Sequence, residues 1–399
     1  MLLELLRAAL AAVDGRRCTL EALRSQRLAE RVARGGPVWV AAVGKAASRM
    51  ALGARDALGT ALERMLVITK DGHLDPELAE LPLLEALESG HPVPDERSLA
   101  AGTRLLSFIE EMPAHARPLM LVSGGASSLV EVLIPGACLV DLQRLNRAGL
   151  ASGLSIEALN ARRRELSRLK GGQLAGRLAG RGAIALLISD VPGDDPAVIG
   201  SGLLGPASAA PDDIERVVIA SMTQALEGVR ARAARPRTMP LSMRIEPQLF
   251  SGSAERLAVR FAHELALGAA QLSAWGGESA LELPPHPGRG GRNQHLALAV
   301  ARLIAGHDLH LLAAGTDGTD GPTLDAGALV DGDTCARVAC AGLDVDECLR
   351  RADSGVALAA AGDLVHTGPT GTNVGDLVMG VKLTEGEARA WLNSAPCGC

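Results

Sequence analysis

The sequence predicts an α/β protein of two domains, the first built on a parallel sheet. Three observations lead there. WVAAV (39–43), MLVIT (65–69), PLMLV (118–122) and AIALLIS (183–189) are continuous apolar runs that end at small or polar residues. Amphipathic stretches follow three of them, over Lys45–Leu62, Leu139–Ser152 and from Pro196 onward. Apolar strands alternating with helices are the pattern of a parallel sheet covered on both faces, where neither side of a strand meets water. The length, 399 residues, suits about two domains.

The other elements follow in order. MLLELLRAALAAVDGRR, at the start, carries Glu4 and Arg7 inside its apolar run and has apolar residues at helical spacing. It reads as an amphipathic first helix rather than an exported leader. The texture changes over 205–250, where Pro206, Pro211, Pro236, Pro240 and Pro247 interrupt the pattern. A domain junction is expected there, dividing the chain into 1–235 and 236–399. The last third has strand-like LSAW (272–275), LHLLAAG (309–315) and DLVHTG (363–368), and a helix over Asn293–Ile304. No run approaches the length of uncharged apolar chain that a membrane span needs.

Composition narrows the function. Three Trp, three Phe and no Tyr leave the core to Ala, Leu, Val and Ile and supply few platforms for stacking bases. A net charge of −6 provides no basic field for nucleic acid or an anionic membrane, so a small molecule is the expected partner. The seven cysteines are odd in number and form no paired CxxC knuckles, which fits reduced thiols in a cytoplasmic protein. Cys397-Gly-Cys399 reads as a frayed terminus, and Cys335, Cys340 and Cys348 fall in amphipathic helix.

Ligands of parallel α/β sheets bind at the carboxyl ends of the strands, so the polar segments after the apolar runs are the candidates for chemistry. Ser123-Gly124-Gly125-Ala126-Ser127-Ser128 can present successive backbone N–H groups to an anion, with a helix start adding partial positive charge; a tight strand-to-helix turn is the other reading. Gly44-Lys45-Ala46 resembles the end of a phosphate loop but lacks the Ser or Thr after the lysine. Lys45 is still placed to touch a phosphate, or it is a plain helix-start lysine. Lys170 ends a basic run from Arg162 and offers either a phosphate contact or part of a solvated helix face with a glycine cap. Asp190, followed by Asp194 and Asp195, can take a hydroxyl proton, hold Mg²⁺, or cap a turn.

Further along, Arg292 and Asn293 open a helix after Gly288-Arg289-Gly290-Gly291, and an arginine there can fork onto a phosphate. Asp317 and Asp320 in GTDGTDGP are candidate metal ligands resembling half of an EF-hand loop, without the bidentate Glu that completes one. TGPTGTN adds Thr370 and Asn373 as polar loop groups. The nine histidines form no ligand pair and stay unassigned.

VAAVGKAASRMA, ESGHPVPDERS, LVSGGASSLVEV, LSRLKGG, LISDVPGDDPAVIGSG, GRGGRNQHLAL, AAGTDGTDGPTLDAGALVD and TGPTGTNVGDL resemble, in order and spacing, the MOFRL-type (type II) glycerate 2-kinases over nearly the whole chain. The resemblance implies a Rossmann-like N-terminal domain, a second α/β domain (MOFRL), and an active site in the interdomain cleft. It also implies ATP and Mg²⁺, with D-glycerate converted to 2-phosphoglycerate, and leaves a homodimer open. On the matching positions Lys45, Asp190 and Arg292 are expected to be catalytic. Ser123, Gly124, Gly125, Ser127, Ser128, Lys170, Asn293, Thr370 and Asn373 are expected to bind substrate or phosphate. Asp190, Asp317 and Asp320 are expected at the metal.

The chain departs from the family pattern in Ala42-Val43-Gly44-Lys45-Ala46, where one glycine ahead of the lysine is missing, at Ala126, where the pattern has glycine, and at Leu203-Leu204. Two alternatives stand beside the kinase. One is a hydroxypyruvate or tartronate reductase, for which no GxGxxG fingerprint is present. The other is a non-catalytic phospho-ligand sensor, motivated by the altered loops.

Overall fold

Every residue of Val38–Val43 is buried, and the sheet is assembled around this strand. The computed structural model describes residues 1–33, 36–78, 81–151, 156–206, 213–234, 241–384 and 386–387. Helix α1 (Leu2–Ala12) is followed by α2 (Gly15–Arg24), α3 (Gln26–Ala33), β1 (Val38–Val43), α4 (Ala47–Leu58), β2 (Leu62–Lys70) and β3 (Leu84–Ser89). Next come α5 (Glu96–Glu111), β4 (Arg117–Val122), α6 (Ala126–Leu129), α7 (Leu139–Ala151), α8 (Ile156–Leu166), α9 (Gln173–Leu178), β5 (Ile184–Ile188) and β6 (Glu215–Ala220). The rest holds α10 (Met222–Ala233), β7 (Met243–Ile245), β8 (Phe250–Ser253), α11 (Ala254–Leu267), β9 (Leu272–Ala280), α12 (Arg292–Leu303), β10 (His310–Gly315) and β11 (Gly327–Asp331). It closes with α13 (Thr334–Cys340), α14 (Val345–Arg350), α15 (Ser354–Ala361), β12 (Leu364–Val365) and β13 (Asp376–Val381).

The chain divides into two units. The N-terminal unit is Val13–Ser221 together with Gly371–Val374; the C-terminal unit takes Met1–Ala12, Met222–Thr370 and the residues from Gly375 onward. This differs in two ways from one cut between 235 and 236, a place that lies outside the described residues. The first helix belongs to the C-terminal unit because α1 packs on α10. Gly228 allows the approach: a methyl group there would lie 2.7 Å from Ala12 Cβ and 2.8 Å from the Ala8 carbonyl oxygen. The buried stripe Leu2, Leu5, Leu6 and Ala9 is what the amphipathic spacing anticipates. The second difference is the return of four late residues, 371–374, to the N-terminal unit.

The N-terminal unit contains a six-stranded sheet in the order β3-β2-β1-β4-β5-β6, parallel at every pairing. This is the Rossmann-like order, and its direction of winding reverses between β1 and β4. The four apolar runs became β1, β2, β4 and β5. The edge strands escape a reading by apolarity because LEALES and ERVVIA are only partly buried. One face of the sheet packs Trp39, Leu66, Ile68, Met120 and Leu187 against Leu105, Phe108 and Ile109 of α5.

The helix expected from Pro196 does not form. Gly200, Ser201 and Gly202 all take left-handed backbone, as do Gly193 and Asp194, and such residues break a right-handed helix. Among the described residues, no helix is long and apolar enough to cross a membrane.

The C-terminal unit has a mixed sheet in the order β12-β11-β10-β13-β9-β7, with β8 also on β9. The β11, β10, β13 and β9 ladder is antiparallel, whereas β7 and β8 run parallel to β9. LSAW and LHLLAAG fall in β9 and β10; of DLVHTG only Leu364–Val365 is strand. Phe261 bridges Phe250 at 5.3 Å and Trp275 at 4.7 Å, so these aromatics serve the core.

One charged pair is sealed inside the N-terminal unit. Lys170 is 1% exposed and Glu131 is 0% exposed, and Lys170 Nζ donates to Glu131 Oε2. Ser167 Oγ donates to Glu131 Oε1 at 2.5 Å and accepts the Lys170 backbone N–H at 3.1 Å. Burial lowers the Lys170 pKa, with Glu131 opposing. Lys170→Met alone strands the carboxylate and is expected to lower stability by about 3–5 kcal/mol. The double variant Lys170→Met/Glu131→Leu is expected to recover much of that loss, because neither charge is then orphaned. Denaturant unfolding of the two single variants and the double gives the coupling; additive losses would contradict a paired charge.

Candidate functional site

The reversal between β1 and β4 makes the two following loops diverge, and here they remain laced together. Gly44 follows β1 with φ 135°, and a methyl group on it would lie 2.1 Å from Ser123 Oγ. Thr69 Oγ1 donates to the Gly44 carbonyl at 3.0 Å. The backbone N–H of Lys45 donates to the Gly124 carbonyl, and that of Ser123 to the Val43 carbonyl, both at 3.0 Å. The Ala46 N–H donates to Ser123 Oγ at 3.0 Å. Lys45 is thereby held directly beside the glycine- and serine-rich loop.

The loop turns at Gly125, whose φ of 85° is the left-handed region that suits glycine. Ala126 is already the first residue of α6 and is absent from the positive-φ residues, so replacing the usual glycine there strains nothing. Val43 likewise ends β1 as an extended, buried residue. With only four residues, α6 is a single turn and not the longer helix start anticipated for an anion. Ser128 Oγ donates to the Pro92 carbonyl at 2.9 Å and Ser127 Oγ pairs with Ser201 Oγ at 2.6 Å, so both hydroxyls tie the loop to its neighbours.

Asp190 stands two residues beyond β5. Asn373, brought in by the returning segment, donates from Nδ2 to Asp190 Oδ2 at 3.1 Å. Both groups sit over Gly124, where a methyl group would lie 1.9 Å from Asp190 Oδ2 and 2.1 Å from Asn373 Nδ2. Above Gly125, a methyl group would lie 3.0 Å from Lys45 Cγ and 3.3 Å from both Cδ2 and Nε2 of His91. The structure therefore gathers Lys45, Ser123, Gly124, Gly125, Asp190 and Asn373 at one place and adds His91. The signal that could have marked His91 is its position two residues after β3, at the same edge of the sheet as Lys45.

Lys170 lies apart from this group, in the ion pair with Glu131 described above. The helical basic face expected of it is replaced by burial just ahead of α9.

The remaining sequence-derived residues belong to the C-terminal unit. Arg292 opens α12 and forks onto Asp376, with Nε to Oδ2 at 2.8 Å and Nη2 to Oδ1 at 3.2 Å; its Nη1 donates to Glu278. Asn293 Nδ2 donates to Asp376 Oδ1 at 2.9 Å. Asp320 caps α12 from a distant loop: Oδ1 accepts the Asn293 N–H at 3.1 Å and Oδ2 the Gln294 N–H at 2.7 Å. Asp317 Oδ1 accepts the Thr319 N–H at 2.9 Å, and Thr370 Oγ1 donates to the Thr316 carbonyl. Both oxygens of Asp320 thus accept N–H groups at the start of α12. Among the described residues, no three His, Cys, Asp or Glu side chains are grouped to hold a metal ion. The terminal Cys397 and Cys399 lie outside the described residues.

Burial pushes the Asp320 carboxyl up to about 7, with Asp376 adding to it and the α12 amides and Arg292 opposing. A raised carboxyl favours the protonated folded state, so its contribution to stability falls as pH rises from about 4 to about 7. The midpoint of thermal unfolding is expected to decline less between pH 5 and pH 8 in Asp320→Asn than in the wild type, by circular dichroism. A second substitution probes the first site. Gly124→Ala is expected to displace Asp190 from Asn373 and to abolish ligand-induced thermal stabilisation; an unchanged crystal-structure distance between the two side chains would contradict that reading.

A parallel sheet wound in the order 3-2-1-4-5-6 defines a doubly wound α/β protein, and the lysine, glycine–serine loop and carboxylate at its switch point are a candidate site for an anionic ligand. Comparison with known proteins makes this specific. Residues 1–232 match the family described as Domain of unknown function (DUF4147), and residues 271–376 match the MOFRL family. D-glycerate 2-kinase of Thermotoga maritima is 36% identical over 86% of this chain and 90% of its own length. Glycerate 2-kinase of Pyrococcus horikoshii is 32% identical over 87% of each. The crystal structure of glycerate kinase from Thermotoga maritima superposes with a TM-score of 0.77 at 32% identity, covering 95% of this chain and 98% of the other. The chain belongs to the glycerate kinase family.

Proposed function

We propose that this protein transfers the γ-phosphoryl group of ATP to the 2-hydroxyl of D-glycerate, giving 2-phosphoglycerate and ADP. The observation that carries the reading is the meeting of Lys45, the Ser123–Gly125 loop and Asp190 at the switch point, in a chain whose curated relatives are named glycerate 2-kinases. Phosphoryl transfer asks little covalent chemistry of a protein; it needs alignment and neutralisation of phosphate charge.

Lys45 would place its ammonium on the transferring phosphate. Asp190 would accept the proton of the attacking hydroxyl, its orientation set by Asn373. Arg292 would contact a phosphate oxygen through Nη1, whose partner Glu278 is mainly exposed, while Asp376 keeps the guanidinium plane in place. Mg²⁺ is commonly held by one or two carboxylates together with substrate phosphates, and Asp190 fits as such a carboxylate. When bound, the ion would supply further charge neutralisation on the phosphates. A cytoplasmic setting accords with the odd number of cysteines, seven.

The purified protein with ATP, Mg²⁺ and D-glycerate is expected to release ADP and form 2-phosphoglycerate, identified by ³¹P NMR. Lys45→Ala is expected to lower kcat/KM about 10²–10³-fold, as removal of a charge-stabilising donor does elsewhere, with the thermal midpoint unchanged. Intact turnover in that variant would remove Lys45 from the chemistry. Oxidation of NADH by hydroxypyruvate, with ATP untouched, would replace the kinase by the reductase.

A further inference from the structure

We propose that His91 is a ligand-binding residue of this site, donating from Nε2 to an anionic oxygen held over Gly125 beside Lys45. The inference rests on the kinase reading for the identity of the anion, which is a carboxylate or phosphate oxygen. Its geometry is independent of that reading.

Three observations converge. The first is position. His91 follows β3, Lys45 follows β1 and Gly125 follows β4, so all three lie at the carboxyl edge of one parallel sheet, where such folds take their ligands. The second is closeness. Gly125 has no side chain and a left-handed backbone, and the space a methyl group would occupy there is bordered by Lys45 Cγ at 3.0 Å and by His91 Nε2 and Cδ2 at 3.3 Å. The imidazole edge and the lysine stem thus flank the same glycine. The third is restraint. Ser128 Oγ of the loop donates to the Pro92 carbonyl at 2.9 Å, fastening the residue after His91 to the loop itself.

The next turn is also rigid: Asp95 caps α5 by accepting the N–H groups of Arg97 and Ser98, and Ser98 Oγ accepts the Asp95 N–H. A backbone fastened just after His91 limits how far the residue can shift when a ligand arrives, which lowers the ordering cost of binding. An ammonium supplies charge without direction, whereas an imidazole N–H supplies a directed bond. The pair therefore suits an oxyanion that must be both attracted and oriented.

The test compares His91→Ala, His91→Gln and His91→Phe in the full chain. Glutamine can return an N–H donor to roughly the place of Nε2; phenylalanine restores bulk only. With D-glycerate and ATP as substrates, His91→Ala and His91→Phe are expected to raise one KM about tenfold or more, as loss of a hydrogen bond to a charged group does. In His91→Gln, that KM is expected to return to within about threefold of the wild type, and kcat is expected to move less than KM in every variant. A raised KM for D-glycerate assigns the carboxylate as the anion, and a raised KM for ATP assigns a phosphate.

A second arm needs neither turnover nor a folded variant. The His91 imidazole resonances of the wild type are followed by ¹H–¹³C NMR during titration with inorganic pyrophosphate and, separately, with D-glycerate. A saturable shift with either probe supports the proposal even if the protein proves not to be a glycerate kinase. An unperturbed His91 resonance with both probes overturns it, as does His91→Ala with both KM values unchanged. Equal damage from Gln and Phe would reduce His91 to a packing role and would also overturn it.

Discussion

The parallel pairing of β1 with β4 is the constraint on which the N-terminal unit depends. These strands are neighbours in space but are separated in sequence by α4, β2, β3 and α5, so the loops leaving them turn apart and open a crevice. The crevice could have been loose. It is closed at its base by Gly44 against Ser123 and by the Lys45 N–H on the Gly124 carbonyl. Those contacts demand backbone-to-backbone approach, which is why glycine stands at 44 and 124. The same approach brings the Lys45 stem, the turn at Gly125 and the carboxylate after β5 together at the carboxyl edge of the sheet.

Charge is distributed with comparable economy. Lys170 and Glu131 neutralise one another out of reach of water, with Ser167 satisfying the second carboxylate oxygen. In the C-terminal unit, Arg292 gives two of its donors to Asp376, and Asp320 caps the start of α12 by accepting its buried first-turn N–H groups. These groups look alike in sequence: polar residues beside glycines. Tertiary placement separates those gathered at the switch point from those holding the backbone together.

The departures from the family pattern lose much of their weight once dihedral angles are known. A sensor reading drew on Ala126 and Val43, on the view that missing glycines distort the loop. Positive φ is concentrated at Gly44 and Gly125 instead, so an alanine at the first turn of α6 and a valine at the end of β1 fit without strain. Leu203 and Leu204 are buried in the segment that follows β5 and belong to the apolar core of the N-terminal unit.

The sequence by itself determined the fold class, the central strands and the family. Short continuous apolar runs that end at small or polar residues and alternate with amphipathic stretches suit strands buried on both faces, and eight ordered motifs specify far more than any one glycine pattern. It also identified Lys45, the serine loop, Asp190 and Asn373 as polar residues beyond such runs. Edge strands β3 and β6 stayed illegible because partial burial permits charged and polar residues. The tertiary structure alone decided that Asn373 meets Asp190 across 183 positions of chain, that Lys170 is consumed by Glu131, that α1 joins the C-terminal unit, and that His91 reaches Gly125. Each of these is a long-range pairing. Local sequence records propensity and periodicity, whereas a pairing across the chain exists only once strand order has brought its members together.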